Sequence, residues 1–367
     1  MSSPPALGVI VPCHDEAAVI ERKLRNLARC AWPAPPAGRP HLLLVVDDGS
    51  DDDTAVRARA LCAALFPAAG PVRARVLENA VRPGTSGAIE AGLRPLEGAV
   101  DLVVLTDAGV DLRPEALDRL AAEFTARPAL GMACGAQEFV RDLHADGTCR
   151  GADGGELVAA SDLLDRALER LRALESRGGR LFAVHGELLA WRADLHLQPA
   201  PGTAAEDLDL MFQARERGVR VERLPGVRFL HVRLREPEAR SRTERRRARA
   251  FVQAVEGRAS RPGAGLAERV QLWCYRRAPV AAPALVSGWI VPVLAAAAAG
   301  LLALARRAES DAALTALLLC LAALLALPVL ALATRRGREI VGRLQMFREA
   351  RRTAPGAGLR SWPDAAP

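Results

Sequence analysis

Carboxylates recur in this chain where strand-like runs end. Asp15-Glu16 follows the apolar run Leu7–Pro12, Asp47-Asp48 follows Leu42–Val46, and Asp107 with Asp111 follows Leu102–Thr106. A fourth pair, Glu206-Asp207, opens an amphipathic helical pattern. Ionised carboxylates repel one another, so a crevice that gathers several has a cation, a sugar or a proton to handle. A carboxylate accepts hydrogen bonds from ribose hydroxyls and ring N–H groups, which suits the first two clusters to a nucleoside. One at a helix start serves as general base if burial or a neighbour holds it basic enough against the helix dipole. Asp207, with Glu206 beside it, is the candidate.

The elements that must position these residues alternate along the chain. Strand-like runs at Leu7–Pro12, Leu42–Val46, Val72–Leu77 and Leu102–Thr106 are separated by helical patterns at Glu16–Cys30, Thr54–Leu65, Ala88–Leu93 and Pro114–Phe124. Near-continuous apolar strands between amphipathic helices predict an α/β fold with a mostly parallel sheet and ligands at its carboxyl edge. Farther on, Glu156–Leu174 reads as a long helix and Leu181–Trp191 is apolar around His185-Gly186-Glu187. Glu206 to Arg217 is a helix ended by Gly218, and Val219–Leu224 a short strand.

Three of these features carry two readings each. Asp48-Gly49-Ser50 serves a ligand or a plain Asx turn. The Pro83–Gly87 turn offers helix N–H groups to a phosphate or is an ordinary loop-to-helix junction. Asp107, Gly109 and Asp111 share a face if the segment is extended. Asp111 then adds a second metal carboxylate to Asp107; otherwise it caps the helix after Pro114.

The formal net charge is +7, carried almost wholly by arginine, since Lys23 is the single lysine. The excess gathers at Arg240–Arg261 and Arg335–Arg352. The first run lacks the interleaved aromatics of a nucleic-acid surface, so that function class is set aside. The seven cysteines show no CxxC spacing and read as reduced. No signal peptide precedes the first strand. Ala278–Ala305 and Leu314–Thr334 are apolar and long enough to cross a bilayer; a pair of buried core helices is the alternative. Flanking arginines predict a two-helix hairpin in the plasma (inner) membrane, with both termini and the catalytic domain cytosolic. Leu266–Tyr275, with Trp273, and the basic stripe at Ile340, Val341, Leu344 and Phe347 read as interfacial. Residues 353–367 read as disordered. The expected organisation is 1–240 catalytic, 241–277 basic linker, 278–334 hairpin and 335–367 amphipathic helix and tail.

Taken in order, Val11-Pro12-Cys13-His14-Asp15-Glu16, Val46-Asp47-Asp48-Gly49-Ser50-Asp51, Asp107 after a buried strand, and Glu206-Asp207-Leu208-Asp209-Leu210 resemble the successive motifs of family 2 glycosyltransferases. Each motif alone is weak; four in order, over about Leu7 to Gln253, are specific. The C-terminal hairpin is similar to that of membrane-bound, cellulose-synthase-like members. The resemblance implies a GT-A fold and inverting transfer from a nucleotide sugar, with a family lean to UDP. It implies nucleoside contacts from Pro12, Asp15, Glu16, Asp47 and Asp48, a diphosphate side at Gly84 and Asp107, and Asp207 as catalytic base. Glu206, His185 and Gly186 then line the acceptor side, in a stretch where Glu175, Ser176, Arg177, Ala190 and Arg192 also match. The family's Asp-x-Asp binds a divalent metal, Mn or Mg, but here Gly109 replaces the second aspartate, leaving Asp107 and the Asp111 substitute. Arg246 matches the arginine of Gln-x-x-Arg-Trp, whose tryptophan is missing. That loss favours transfer of one or a few sugars to a membrane-associated or glycan acceptor over a processive polysaccharide synthase. A catalytically degenerate nucleotide-binding scaffold is the remaining alternative.

Overall fold

The structure, a computed structural model, describes residues 4–149, 163–232, 237–259, 265–266 and 268–276. The expected hairpin 278–334 and the segment 335–367 lie outside the described residues. Among those described, no helix is long and apolar enough to cross a membrane.

Two compact units divide the chain, the first running to Pro237 and the second beginning at Glu238. In the first, β1 (Leu7–Cys13), β2 (His41–Asp47), β3 (Val72–Glu78) and β4 (Leu102–Thr106) alternate with α1 (Ile20–Arg29), α2 (Thr54–Leu65) and α3 (Thr85–Leu93). The four strands pair in parallel, in the order β3-β2-β1-β4. Burial of β1, β2 and β4 along almost their whole length is the reason for their unbroken apolar sequence. The helix α3 packs on β1 and β2 so closely that a Cβ on Gly92 would lie 2.9 Å from the Ile10 side chain.

Beyond β4 the sheet becomes mixed. After β5 (Asp111–Leu112) and α4 (Ala116–Ala126) come β6 (Leu130–Val140), α5 (Leu163–Arg177), β7 (Leu188–Arg192), α6 (Glu206–Glu216) and β8 (Arg220–Val232). β7 runs antiparallel to both β4 and β6, β6 runs parallel to β8, and the two-residue β5 closes the edge against β8. Because β7 opposes β4, its first residue, Leu188, pairs with the last of β4, Thr106. The loop entering β7 therefore shares an edge with the carboxyl ends of the parallel strands. β6 contains Cys134, beside which the sequence reads as strand-like without defined bounds, and β8 outruns its expected span. The second unit contains α7 (Pro237–Ala259) from its second residue on, and a helical stretch at 266 and 268–276. The two are joined by the buried Arg258–Glu268 pair at 2.8 Å and by Arg276–Glu256 at 2.7 Å.

Candidate active site at the carboxyl edge of the sheet

The first two acidic clusters are sewn to each other. Asp15, in the left-handed region at φ 54°, accepts from the Asp51 N–H at 2.9 Å, and its own N–H donates to the Ser50 hydroxyl at 3.0 Å. The Glu16 N–H donates to Thr54 at 2.8 Å, and the Ala17 N–H to Asp52 at 3.1 Å. Asp47 spends its carboxylate on a turn, accepting from the Ser50 N–H at 3.1 Å and from the Ser50 hydroxyl. The Asx turn thus belongs to Asp47, where Asp48 had been the alternative. Asp48 instead accepts from the Asn79 amide at 3.1 Å and from the backbone of Gly84. Burial raises the carboxyl pKa of both Asp48 and Glu16 above the usual carboxylate range, against the opposing effects of Asn79 on Asp48 and of Arg22 on Glu16. Pro12 lies in β1, in register with Val46 of β2.

Gly84 caps α3 at φ 82°, a conformation that favours glycine. The helix starts there, three residues before the expected opening at Ala88. Its buried Ser86 accepts from the Gly202 N–H at 3.1 Å, tying α3 to the loop that leads into α6.

Asp107 is half-buried just past β4, and its N–H donates to the Glu187 carbonyl at 3.3 Å. A turn at Ala108–Gly109 breaks the extended run that would have put Asp111 on the same face. Asp111 lies in β5, wholly buried, opposite Leu230. One carboxylate oxygen pairs with Arg22 at 3.2 Å, and the other has no hydrogen-bond partner among the described residues. Burial raises its pKa, with Arg22 and Lys23 acting in opposition. Asp111 therefore fits neither expectation. It faces two cations inside the fold, which unsuits it as a metal ligand, and the helix cap falls to Glu115. Gly109 is exposed, and a Cβ there would meet nothing within 4 Å. Among the described residues no three histidine, cysteine, aspartate or glutamate side chains are grouped to hold a metal ion. Of the two carboxylates expected to hold the metal, Asp111 turns into the fold, which leaves Asp107 alone at the strand end.

Asp207 is the second residue of α6, half-buried, and accepts from the Leu208 N–H at 2.8 Å. The loop entering β7 packs directly on it: a Cβ on Gly186 would lie 3.2 Å from the Asp207 Cβ and 3.4 Å from its Oδ2. Glu206 shares the same first turn. His185 is buried edge-on against Phe229, its Nδ1 3.8 Å from Glu187; His231 approaches the other Glu187 oxygen at 3.9 Å. The structure thus brings Asp107, Gly186, Glu187 and Asp207 together. It does the same for Asp15, Glu16, Asp47 and Asp48.

Other matched positions go elsewhere. Arg192 donates to the carbonyls of Leu130, Phe124 and Arg127 at 2.8, 2.7 and 3.2 Å, so it closes the end of α4. Ser176 exchanges hydrogen bonds with the Arg223 backbone in β8. Arg246 lies on α7, in the second unit. Ser86 and Thr106 are ordinary polar residues in sequence and become visible only by what they touch.

Comparison with known proteins agrees with this geometry. The family described as glycosyltransferase like family 2 matches residues 4–251. No curated protein sequence matches the chain. Among solved structures, the mannosyltransferase PcManGT from Pyrobaculum calidifontis, in complex with GDP-Man and Mn2+, is similar at a TM-score of 0.65 and 22% identity. That likeness covers 96% of this chain and 88% of that one. S. aureus TarS is similar at a TM-score of 0.50 and 15% identity, over 74% of this chain and 43% of TarS. A GT-A-like mixed sheet, acidic clusters at its carboxyl edge in the family's order, and a family match over residues 4–251 lead to one conclusion: the chain belongs to the family 2 glycosyltransferases and is a glycosyltransferase.

Proposed function

We propose that the protein transfers a sugar from a nucleotide-diphosphate sugar to a hydroxyl of a membrane-associated acceptor, by a single displacement that inverts the anomeric carbon. The observation that carries this reading is the meeting of Asp107 and Asp207 across the loop His185-Gly186-Glu187: the Asp107 N–H bonds the Glu187 carbonyl, and Gly186 lies against the Asp207 carboxylate. In the step, the acceptor oxygen bonds to the anomeric carbon as its proton passes to Asp207, and the bond to the diphosphate breaks, its electron pair leaving on the phosphate oxygen. Carboxylates at Asp15, Glu16 and Asp48 receive nucleoside hydroxyl or ring N–H groups. The first turn of α3, after Gly84, offers backbone N–H groups to phosphate.

The PcManGT structure contains Mn2+. Of the expected pair we assign Asp107 alone to such an ion, and no step is routed through it. GDP-mannose in that structure sets a GDP donor beside the UDP lean of the family motifs.

The membrane part of the reading rests on the uncharged apolar runs 278–305 and 314–334 and on the stretch at 266–276, where Leu266, Val270 and Trp273 are 78%, 54% and 63% exposed at helical spacing. The absence of tryptophan from residues 244–253 supports short products.

The test is turnover of a panel of UDP- and GDP-sugars by detergent-solubilised full-length protein, beside Asp207→Asn. We expect one donor to be consumed by the wild type and about a hundredfold or greater loss in the variant, with nucleotide binding retained. Equal turnover by both proteins would remove Asp207 as the base.

A further inference from the structure

Three consecutive polar contacts run from one helix to the strand end that carries Asp107. Arg22 donates to the Ala108 carbonyl at 3.2 Å, Lys23 to the Val110 carbonyl at 2.9 Å, and Asn26 to the Leu112 carbonyl at 3.0 Å. Asn26 also accepts from the Leu112 N–H at 2.8 Å. Side chains at positions i, i+1 and i+4 of α1 thus address alternate carbonyls of residues 108–112, a segment whose turn interrupts its sheet pairing. Backbone groups buried without partners cost free energy, and here a helix supplies them.

Lys23 does more than fill this role. It is wholly buried, although ammonium groups are almost never fully buried without partners. Burial draws its pKa down to about 8, with Asp111 opposing the shift. Its second hydrogen bond goes to the Thr106 hydroxyl at 2.8 Å. That hydroxyl donates to the Glu187 carbonyl at 3.0 Å, the same carbonyl that accepts from the Asp107 N–H. The residue before Glu187 is Gly186, in contact with Asp207. A path of packed and hydrogen-bonded atoms therefore runs from Lys23 through Thr106 and Glu187 to the backbone of Asp107 and, by way of Gly186, to the Asp207 carboxylate. Burying an ammonium is costly, and its bonds to the Val110 carbonyl and the Thr106 hydroxyl offset that cost only if both are held in place.

We propose that Lys23, acting through Thr106, is a positioning residue: it fixes the distance between the strand end bearing Asp107 and the β7 loop packed on Asp207. The assignment rests on Asp207 being the base. It places the effect on turnover more than on donor affinity, because the nucleoside side at Asp15, Glu16 and Asp48 lies outside the path. Small misplacements of reacting groups reduce rate steeply.

The experiment compares Thr106→Val, which keeps shape and removes the hydroxyl, with Thr106→Ser, which keeps the hydroxyl, in full-length solubilised protein. Lys23→Met is the companion variant. kcat is expressed per nucleotide-binding site, so that loss of folded protein does not enter. Expected are a kcat about tenfold lower in Thr106→Val, a donor KM within about threefold of wild type, and kcat restored in Thr106→Ser. Lys23→Met should follow Thr106→Val. Should Lys23→Met not fold, the Val and Ser pair decides by itself. A Thr106→Val kcat equal to wild type overturns the proposal, as does an equal loss in the Ser and Val variants. Asp207→Asn run alongside separates the two failures. If it is inactive while Thr106→Val is normal, only the positioning role falls; if it is active, the assignment of the base falls with it.

Discussion

Asp48 is almost fully buried, bonded to Asn79 and the Gly84 backbone, and its carboxyl pKa is raised by that burial. A carboxyl whose folded pKa exceeds its unfolded value binds a proton more readily in the fold. Its contribution to stability is present below the unfolded value and is lost as pH rises through the folded one. At neutral pH the ionised Asp48 is therefore held at a cost in stability. Asp48→Asn should melt at or above the wild-type temperature at pH 7, with the gap closing as pH falls to the usual carboxylate range. Donor affinity should fall about tenfold, the loss of one charged hydrogen bond. Melts at the two pH values and a nucleotide titration check both parts; a lower melting temperature at pH 7 would contradict the sign. Much of this site was legible as residue types at strand ends, because carboxylates followed by a Gly-Ser turn are conspicuous in sequence. What was not legible is the division of labour. Asp47 and Asp48 look equivalent in the chain, yet one ties a turn to Ser50 and the other reaches Asn79. That choice is set by backbone direction after β2 and not by residue identity.

At the scale of elements, α1 is amphipathic in an uncommon sense. Its inner face carries Ile20, Leu24 and Leu27 together with Lys23 and Asn26. The apolar spacing announced the helix; its inward polar residues became intelligible only against the 106–112 backbone. Asp111 shows the same limit. Period-two reasoning placed it beside Asp107, but the Ala108–Gly109 turn resets the period, and the carboxylate enters the core toward Arg22. Arg22→Ala would leave that carboxylate buried with its nearest guanidinium partner removed, and should cost about 3 kcal/mol in chemical denaturation. Asp111→Asn introduced with it should recover a large part of the loss; no recovery would show that Arg22 acts by packing alone. The parallel half of the sheet was legible because its strands are apolar throughout. β6 was legible only beside Cys134, since Gly131, Ala133, Gly135 and Ala136 give it little strand propensity and its place comes from pairing with β7 and β8.

For the whole molecule, the membrane reading makes its own prediction. Replacing Leu266, Val270 and Trp273 together by serine removes an exposed apolar face at 266–276 without touching the buried Leu272 or the Arg258–Glu268 pair. Full-length protein carrying the triple change should keep its donor turnover in detergent and lose activity toward an acceptor presented in vesicles. Undiminished activity on vesicles would remove these residues from membrane engagement.

Gly109 has a consequence of a different kind. Its backbone lies outside the left-handed region, and no atom crowds the position a Cβ would take. Neither strain nor packing requires glycine there. A glycine codon ending in a pyrimidine differs from an aspartate codon by one base, so from such a codon a single nucleotide change would supply the second carboxylate. Within this architecture the number of carboxylates offered to a cation is adjustable by inheritance without renegotiating the fold.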